Sequence, residues 1–93
     1  MFERVLKHFR ENIRDRGYVM TLHADEEMND DGFTIHDVER GILTGKILAR
    51  QRDNETAESK YRIRGTAVAG GTIEVLAKHS PTGKLVILTV YAP

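Results

Sequence analysis

The last third of the chain limits its fold more than any other part. Lys60 to Val68, Thr72 to His79 and Leu85 to Tyr91 are rich in β-branched and apolar residues and are separated by two short glycine-bearing turns. Such runs, bounded by turn residues, predict consecutive antiparallel strands. Ala69-Gly70-Gly71 supplies the first turn, because glycine enters left-handed backbone without a Cβ clash. Ser80-Pro81-Thr82-Gly83 supplies the second, with the fixed φ of proline at its second position and glycine at its fourth. Leu85, Val86, Ile87, Leu88 and Val90 put apolar groups on both faces of the last run, which predicts a central strand covered on both sides.

Upstream, the period is helical. Phe2, Val5, Leu6, Phe9 and Ile13 recur at spacings of three and four, so a helix from about Phe2 to Asp15 with one buried stripe is expected, ended by Arg16-Gly17. Tyr18 to Leu22 is a short apolar, β-prone run, and His23 stands where it gives way to a short acidic helix over roughly Ala24 to Asn29. Gly32 supplies the left-handed residue that closes that helix. Thr34 and Asp37 have capping-box spacing, Phe33 and Val38 can form a hydrophobic staple, and Ile35, Val38, Ile42 and Leu43 make the next buried stripe before Gly45. Lys46 to Gln51 is a further strand, followed by a polar, mobile loop from Arg52 to Ser59. The pattern predicts one α+β domain over residues 1–93, a twisted antiparallel sheet of four to five strands packed on one face by two to three helices.

Composition excludes several chemistries. The chain has 93 residues, enough for one hydrophobic core, folding alone or as a homodimer. It contains no cysteine, which removes disulfides, thiolate metal sites and a cysteine nucleophile. Lysine plus arginine balance aspartate plus glutamate at 14 each, so no strong indiscriminate attraction to nucleic acid is expected. The charges are segregated. Ala24 to Glu39 holds only acidic charges, whereas Lys46, Arg50, Arg52, Lys60, Arg62 and Arg64 follow. That pattern fits two solvated faces or a polyanion-binding surface flanked by an acidic patch. No segment reaches the roughly 20 apolar residues of a membrane span, and the charged N-terminus is unlike a signal peptide. A cytoplasmic location without membrane partners is expected.

Leu22-His23-Ala24, Met28, Gly32-Phe33-Thr34-Ile35 and the closing Ile87-Leu88-Thr89-Val90-Tyr91 resemble a small bacterial family of unknown function that is related to RelE and BrnT toxins. The resemblance covers residues 18 to 93, with the helix of residues 1–16 an addition. It implies a RelE-like fold, a cognate antitoxin as partner, and a concave sheet face where basic side chains hold an RNA phosphate while a base activates the ribose 2′-hydroxyl. The family pattern places an arginine four residues after the histidine; this chain has Glu27 there, which weakens the catalytic inference.

Five residues are candidates for a metal-independent endoribonuclease site. His23, at the strand-to-helix junction, can serve as acid or base near neutral pH, or simply hold the junction by bonding a carbonyl. Arg62 and Arg64 share a strand face by period-two alternation and suit a phosphodiester, or else pair with a cross-strand partner such as Glu74. His79 and Tyr91 are proton-transfer types, but His79 shares parity with Ile73, Val75 and Ala77, and Tyr91 with Leu85, Ile87 and Thr89, so packing at the rim of the core is the alternative for both. His23 and Glu27 offer two metal ligands without a third; no metal or cofactor is expected. His8 and His36 are expected to be exposed without a special role. The sequence has no P-loop and no Gly-x-Ser-x-Gly elbow, and the aromatics make no paired stacking platform, Tyr61 beside Arg62 being the one hint.

The alternative function is a non-catalytic protein-interaction module on the same scaffold. The enzyme needs His23 or His79 within reach of Arg62 and Arg64; opposite faces favour the module. Arg64→Ala is expected to relieve growth arrest without changing the melting temperature.

Overall fold

The computed structural model describes residues Met1–Pro93. Its elements are α1 (Glu3–Arg14), β1 (Tyr18–Met20), α2 (Leu22–Asp30), α3 (Ile35–Thr44), β2 (Lys46–Arg52), β3 (Ser59–Thr66), β4 (Thr72–His79) and β5 (Leu85–Tyr91). The five strands form one sheet in the order β1-β5-β4-β3-β2. From β2 to β5 the sheet is an antiparallel meander. β1, however, runs parallel to β5, with Tyr18 opposite Leu85 and Met20 opposite Ile87. The sheet is therefore mixed, which corrects the all-antiparallel expectation. β1 is separated from β2 by two helices, and such long connections permit either strand direction, whereas two- to five-residue hairpins enforce antiparallel pairing.

Three helices pack on this sheet. Phe9 and Ile13 of α1, Ala24 and Met28 of α2, and Val38 and Ile42 of α3 join Ile63, Ile73, Val75, Ala77, Leu85, Ile87 and Val90 in one buried core. β5 is central, as its composition predicts, but helices cover only the side bearing Leu85, Ile87 and Val90. Val86 and Leu88 remain half-buried on the other side, shielded by neighbouring side chains rather than by a second layer. The apolar pattern on both faces is thus a mark of position within the sheet and not of double coverage.

Local chemistry explains the ends of the elements. At α3, Thr34 accepts from the backbone of Asp37 and the Asp37 carboxylate accepts from the Thr34 N–H at 2.8 Å, completing the capping box. Asp37 also accepts from the Val68 N–H at 2.9 Å, so the cap ties α3 to the β3–β4 hairpin. Thr34→Ala should cost about 1 kcal/mol, read as a lower midpoint in urea denaturation at unchanged slope. The carboxyl-terminal end of α3 is closed by α1: Arg10 donates to the Gly45 carbonyl at 2.8 Å and to the Ile42 carbonyl at 3.4 Å, placing a cation at the negative end of the helix dipole. Gly45 is extended there, with φ −89°. It is required for clearance, since a Cβ would lie 2.4 Å from the Gly41 carbonyl oxygen. The left-handed residues are Arg16, Gly32, Ala57, Gly70 and Gly83. The segment between β2 and β3 is organised rather than loose, because Asp53 accepts from the backbone of Glu55 and Thr56 and pairs with Lys60.

α2 covers the part of β5 that β1 is too short to pair. Glu27 accepts from the Val90 N–H at 3.3 Å and Asp31 from the Ala92 N–H at 2.8 Å. Two carboxylates thus satisfy edge donors that would otherwise template another strand. Thr21 caps α2 by accepting from Ala24. No helix is long and apolar enough to cross a membrane.

Candidate functional site

Alternation along β3 and β4 sends Ile63, Ile73, Val75 and Ala77 into the core and Arg62, Arg64, Glu74 and Leu76 to the opposite, helix-free face. In the register of the sheet, Lys46 stands opposite Arg64, Arg64 opposite Glu74, and Glu74 opposite Tyr91. These four residues form a row across four strands.

Tyr91 reaches this face because of a bulge. Leu76 pairs with Thr89 but Ala77 pairs with Ile87, so β5 carries one extra residue. Beyond it the core-facing parity switches, Val90 turns inward and Tyr91 turns outward. Parity with Leu85 and Ile87 put Tyr91 at the rim of the core; the bulge re-aims it.

Glu74 is the centre of the cluster and the only buried charged residue, 1% exposed. Its Oε2 accepts from Arg64 Nε at 2.7 Å and lies 2.5 Å from Arg64 Nη2, while its Oε1 accepts from Arg62 Nη1 at 3.3 Å and from the Tyr91 hydroxyl at 2.6 Å. Burial alone would raise the carboxyl's pKa. The donors Tyr91, Arg64 and Arg62 together outweigh burial and hold it below its ordinary 4.5. The same bond to Glu74, followed by burial, pushes the Tyr91 phenol above its usual 10.0. At neutral pH the site therefore holds a carboxylate, a protonated phenol and two guanidiniums.

A pH dependence of stability follows from these shifts. Glu74 has a depressed native pKa, so its contribution is present above 4.5 and is lost as pH falls through the lower native value. Tyr91 and Tyr18 have raised native values, the latter pushed up to about 12 by burial and by its bond to Glu39. Their contributions are present below 10.0 and are lost as pH rises through the native values. His79, held below its ordinary 6.5 by burial, adds a contribution that is lost as pH falls from 6.5 through its lower native value. Denaturation midpoints should therefore be highest between about pH 7 and 9 and fall on both sides, and Glu74→Gln should make the acid limb shallower.

The imidazoles lie elsewhere. His79 faces the helices, with its ring 4.7 Å from Phe9 and Nε2 3.0 Å from Asn12 Oδ1. Burial, with His8 nearby, lowers its pKa. It is a packed histidine on the face opposite Arg62 and Arg64. His23 is exposed on α2 and pairs with Glu27 at 3.0 Å. α2 flanks β5, two strands from β3, so His23 also stands outside the arginine cluster. No three histidine, aspartate or glutamate residues are grouped as metal ligands. His8 and His36 are exposed. Tyr61 is half-buried and packs edge-on against Phe2 and Phe9, on the helix side of the sheet rather than beside Arg62 and Arg64.

Sequence reasoning named Glu74 only as an ion-pair partner. Its centrality depends on register: the hairpin loop runs from Ala67 to Gly71, with the Ala67 N–H donating to the Gly71 carbonyl, and this loop places Arg64 opposite Glu74. A three-residue turn at Ala69-Gly70-Gly71 shifts the pairing by two residues and sets Leu76, not Glu74, directly opposite Arg64. A lone carboxylate within Thr72-Ile73-Glu74-Val75-Leu76 was the available signal. The pairing also corrects the expectation for Arg64→Ala. Removing this partner strips donors from a buried carboxylate, so the melting temperature should fall.

The fold and cluster define a small α+β domain with an ionic, phenol-bearing centre on the open face of a five-stranded sheet. Residues 20–92 match the model of the family described as Domain of unknown function (DUF4258), and the chain belongs to that family. The match begins within β1 and leaves α1 outside it. No curated protein and no solved structure matches the chain.

Proposed function

We propose that this domain is a RelE/BrnT-like toxin-family protein that cleaves RNA without a metal, using Arg62, Arg64, Glu74 and Tyr91. The observation that carries this is the convergence of two guanidiniums and a phenol on one buried carboxylate at a solvent-facing sheet surface. Burying a carboxylate is costly unless it is fully bonded, and clusters of mutually shifted groups recur at functional sites as well as in structural ion-pair networks.

The chemistry balances within these residues. Once the phosphodiester draws the arginine donors outward and uncovers the carboxylate, Glu74 takes the proton of the ribose 2′-hydroxyl, the 2′-oxygen bonds to phosphorus, and the phosphorus–O5′ bond breaks as Tyr91 protonates the leaving oxygen. A 2′,3′-cyclic phosphate and a 5′-hydroxyl result. Arg62 and Arg64 stabilise the charge on the phosphorane oxygens. Because Tyr91 and Glu74 are bonded at 2.6 Å, the proton gained by Glu74 returns to Tyr91 and resets the pair.

A specific observation supports the second reading, a non-catalytic module that holds a protein partner. Both histidines lie off the arginine face, and Glu74 already occupies the inner arginine donors. Induced expression in a bacterial host separates the two. The ribonuclease arrests growth and degrades RNA, and co-expression of a cognate antitoxin relieves the arrest; unaffected growth with intact RNA removes the ribonuclease and leaves the module.

A further inference from the structure

Three side-chain donors converge on the two oxygens of Glu74, a donor set that also suits the oxygens of a phosphate. Arg64 engages one oxygen through both Nε and Nη2, while Arg62 and Tyr91 meet at the other. Guanidinium reads carboxylate and phosphate alike, by paired N–H donors on two oxygens of one group. Two guanidiniums against one carboxylate leave one net positive charge. Lys46, exposed in the same cross-strand row, makes no ion pair and adds another. Arg62 and Arg64 are 36% and 48% exposed while the carboxylate beneath them is 1% exposed. Cations that an anion can reach therefore sit above the chain's own counter-ion.

The geometry points to a self-occupied anion site: Arg62, Arg64 and Tyr91 form a receptor for a phosphate group that the chain fills with Glu74 until a phosphate competes for the same donors. This rests on the ribonuclease proposal only for the identity of the natural anion as an RNA phosphodiester. The receptor itself requires no catalysis. Phosphate entering this site draws Arg64 and Tyr91 away from Glu74, so the carboxylate sets a threshold that weakly binding anions do not cross. Neutral net charge and a guarded site together keep the domain from binding polyanions indiscriminately.

Inorganic phosphate is the probe, titrated by calorimetry at low salt. Glu74→Gln preserves size and one acceptor but removes the competing charge, and should bind phosphate at least about tenfold more tightly than the unmodified chain, a modest share of one unit-charge interaction near a protein surface. Adding Arg64→Ala to it should abolish the gain. A folded Glu74→Gln protein with unchanged or weaker phosphate affinity overturns the inference. Should that variant not fold, the 13C resonance of the Glu74 carboxyl in the unmodified chain decides: a saturable shift with added phosphate supports displacement, and a stationary resonance refutes it. RNA cleavage by the unmodified chain is scored separately. A tenfold gain without cleavage keeps the anion site and removes the ribonuclease, whereas cleavage without the gain does the reverse.

Discussion

Gly65→Ala should destabilise the domain by about 3 kcal/mol or more, enough to lower its melting temperature by about 15 °C. A Cβ at Gly65 would lie 1.9 Å from the Gly41 carbonyl oxygen and 2.7 Å from its carbon. These are backbone atoms of α3, so no rotamer change relieves the contact. The helix must lift from β3. Lifting it opens the core around Val38, Ile42 and Ile63, all fully buried, and a domain of this size has only about 5–10 kcal/mol of total stability. Gly41 has its own constraint, a Cβ there meeting Ile73 Cγ2 at 2.5 Å. The two glycines let helix and strand cross at backbone contact, which seats α3 against the sheet and fixes the face on which Arg64 emerges. Gly71→Ala is the control, since nothing lies within 4 Å of its Cβ position, and it should change stability by less than about 0.5 kcal/mol. Thermal and urea denaturation of both variants reads the difference.

The second large effect is chemical. If the open-face cluster cleaves RNA, Arg64→Ala should lower the cleavage rate by about 10²-fold or more, and Arg64→Lys should restore little of it, because an ammonium cannot reproduce the two-nitrogen contact with one group. The same truncation should cost about 2 kcal/mol of stability by stripping donors from buried Glu74. Rate and stability must therefore be measured together, at a temperature where every variant is folded. Tyr91→Phe should slow cleavage with a smaller stability change, since both arginines still hold the carboxylate. His23→Ala and His79→Ala provide the contrast, the first exposed and paired with Glu27, the second packed on Phe9. A loss of turnover in either folded histidine variant would return catalysis to the imidazoles.

How far the sequence discloses this molecule depends on the range of each interaction. Features set by a few neighbouring residues are legible: the Thr34–Asp37 capping box, the left-handed Gly32, the bounds of β4 and β5 and the stripe of α1 all follow from local rules and recur in the structure. His79 is legible too, because parity with Ile73, Val75 and Ala77 places it inward. Features set by register are not. The parallel pairing of β1 depends on where two intervening helices return the chain. The bulge that turns Tyr91 outward leaves Leu88 and Thr89 looking like ordinary strand residues. Glu74 is legible as a cross-strand partner for Arg62 and Arg64, and the structure pairs it with both; its near-complete burial and its bond to Tyr91 follow only once the hairpin loop lies at Ala67 to Gly71 and the bulge turns Tyr91 outward. Arg62 and Arg64 are recognisable as a pair on one face with Glu74 as partner; that one buried carboxylate holds both and Tyr91 as well emerges only with the fold.

The most direct test is incubation of the purified chain with RNA in excess EDTA, followed by analysis of the product ends. Metal-free transphosphorylation by Arg62, Arg64, Glu74 and Tyr91 yields 2′,3′-cyclic phosphate and 5′-hydroxyl termini, and the yield collapses with Arg64→Ala. RNA that stays intact under these conditions, or is cut equally well by the folded Arg64→Ala protein, contradicts it.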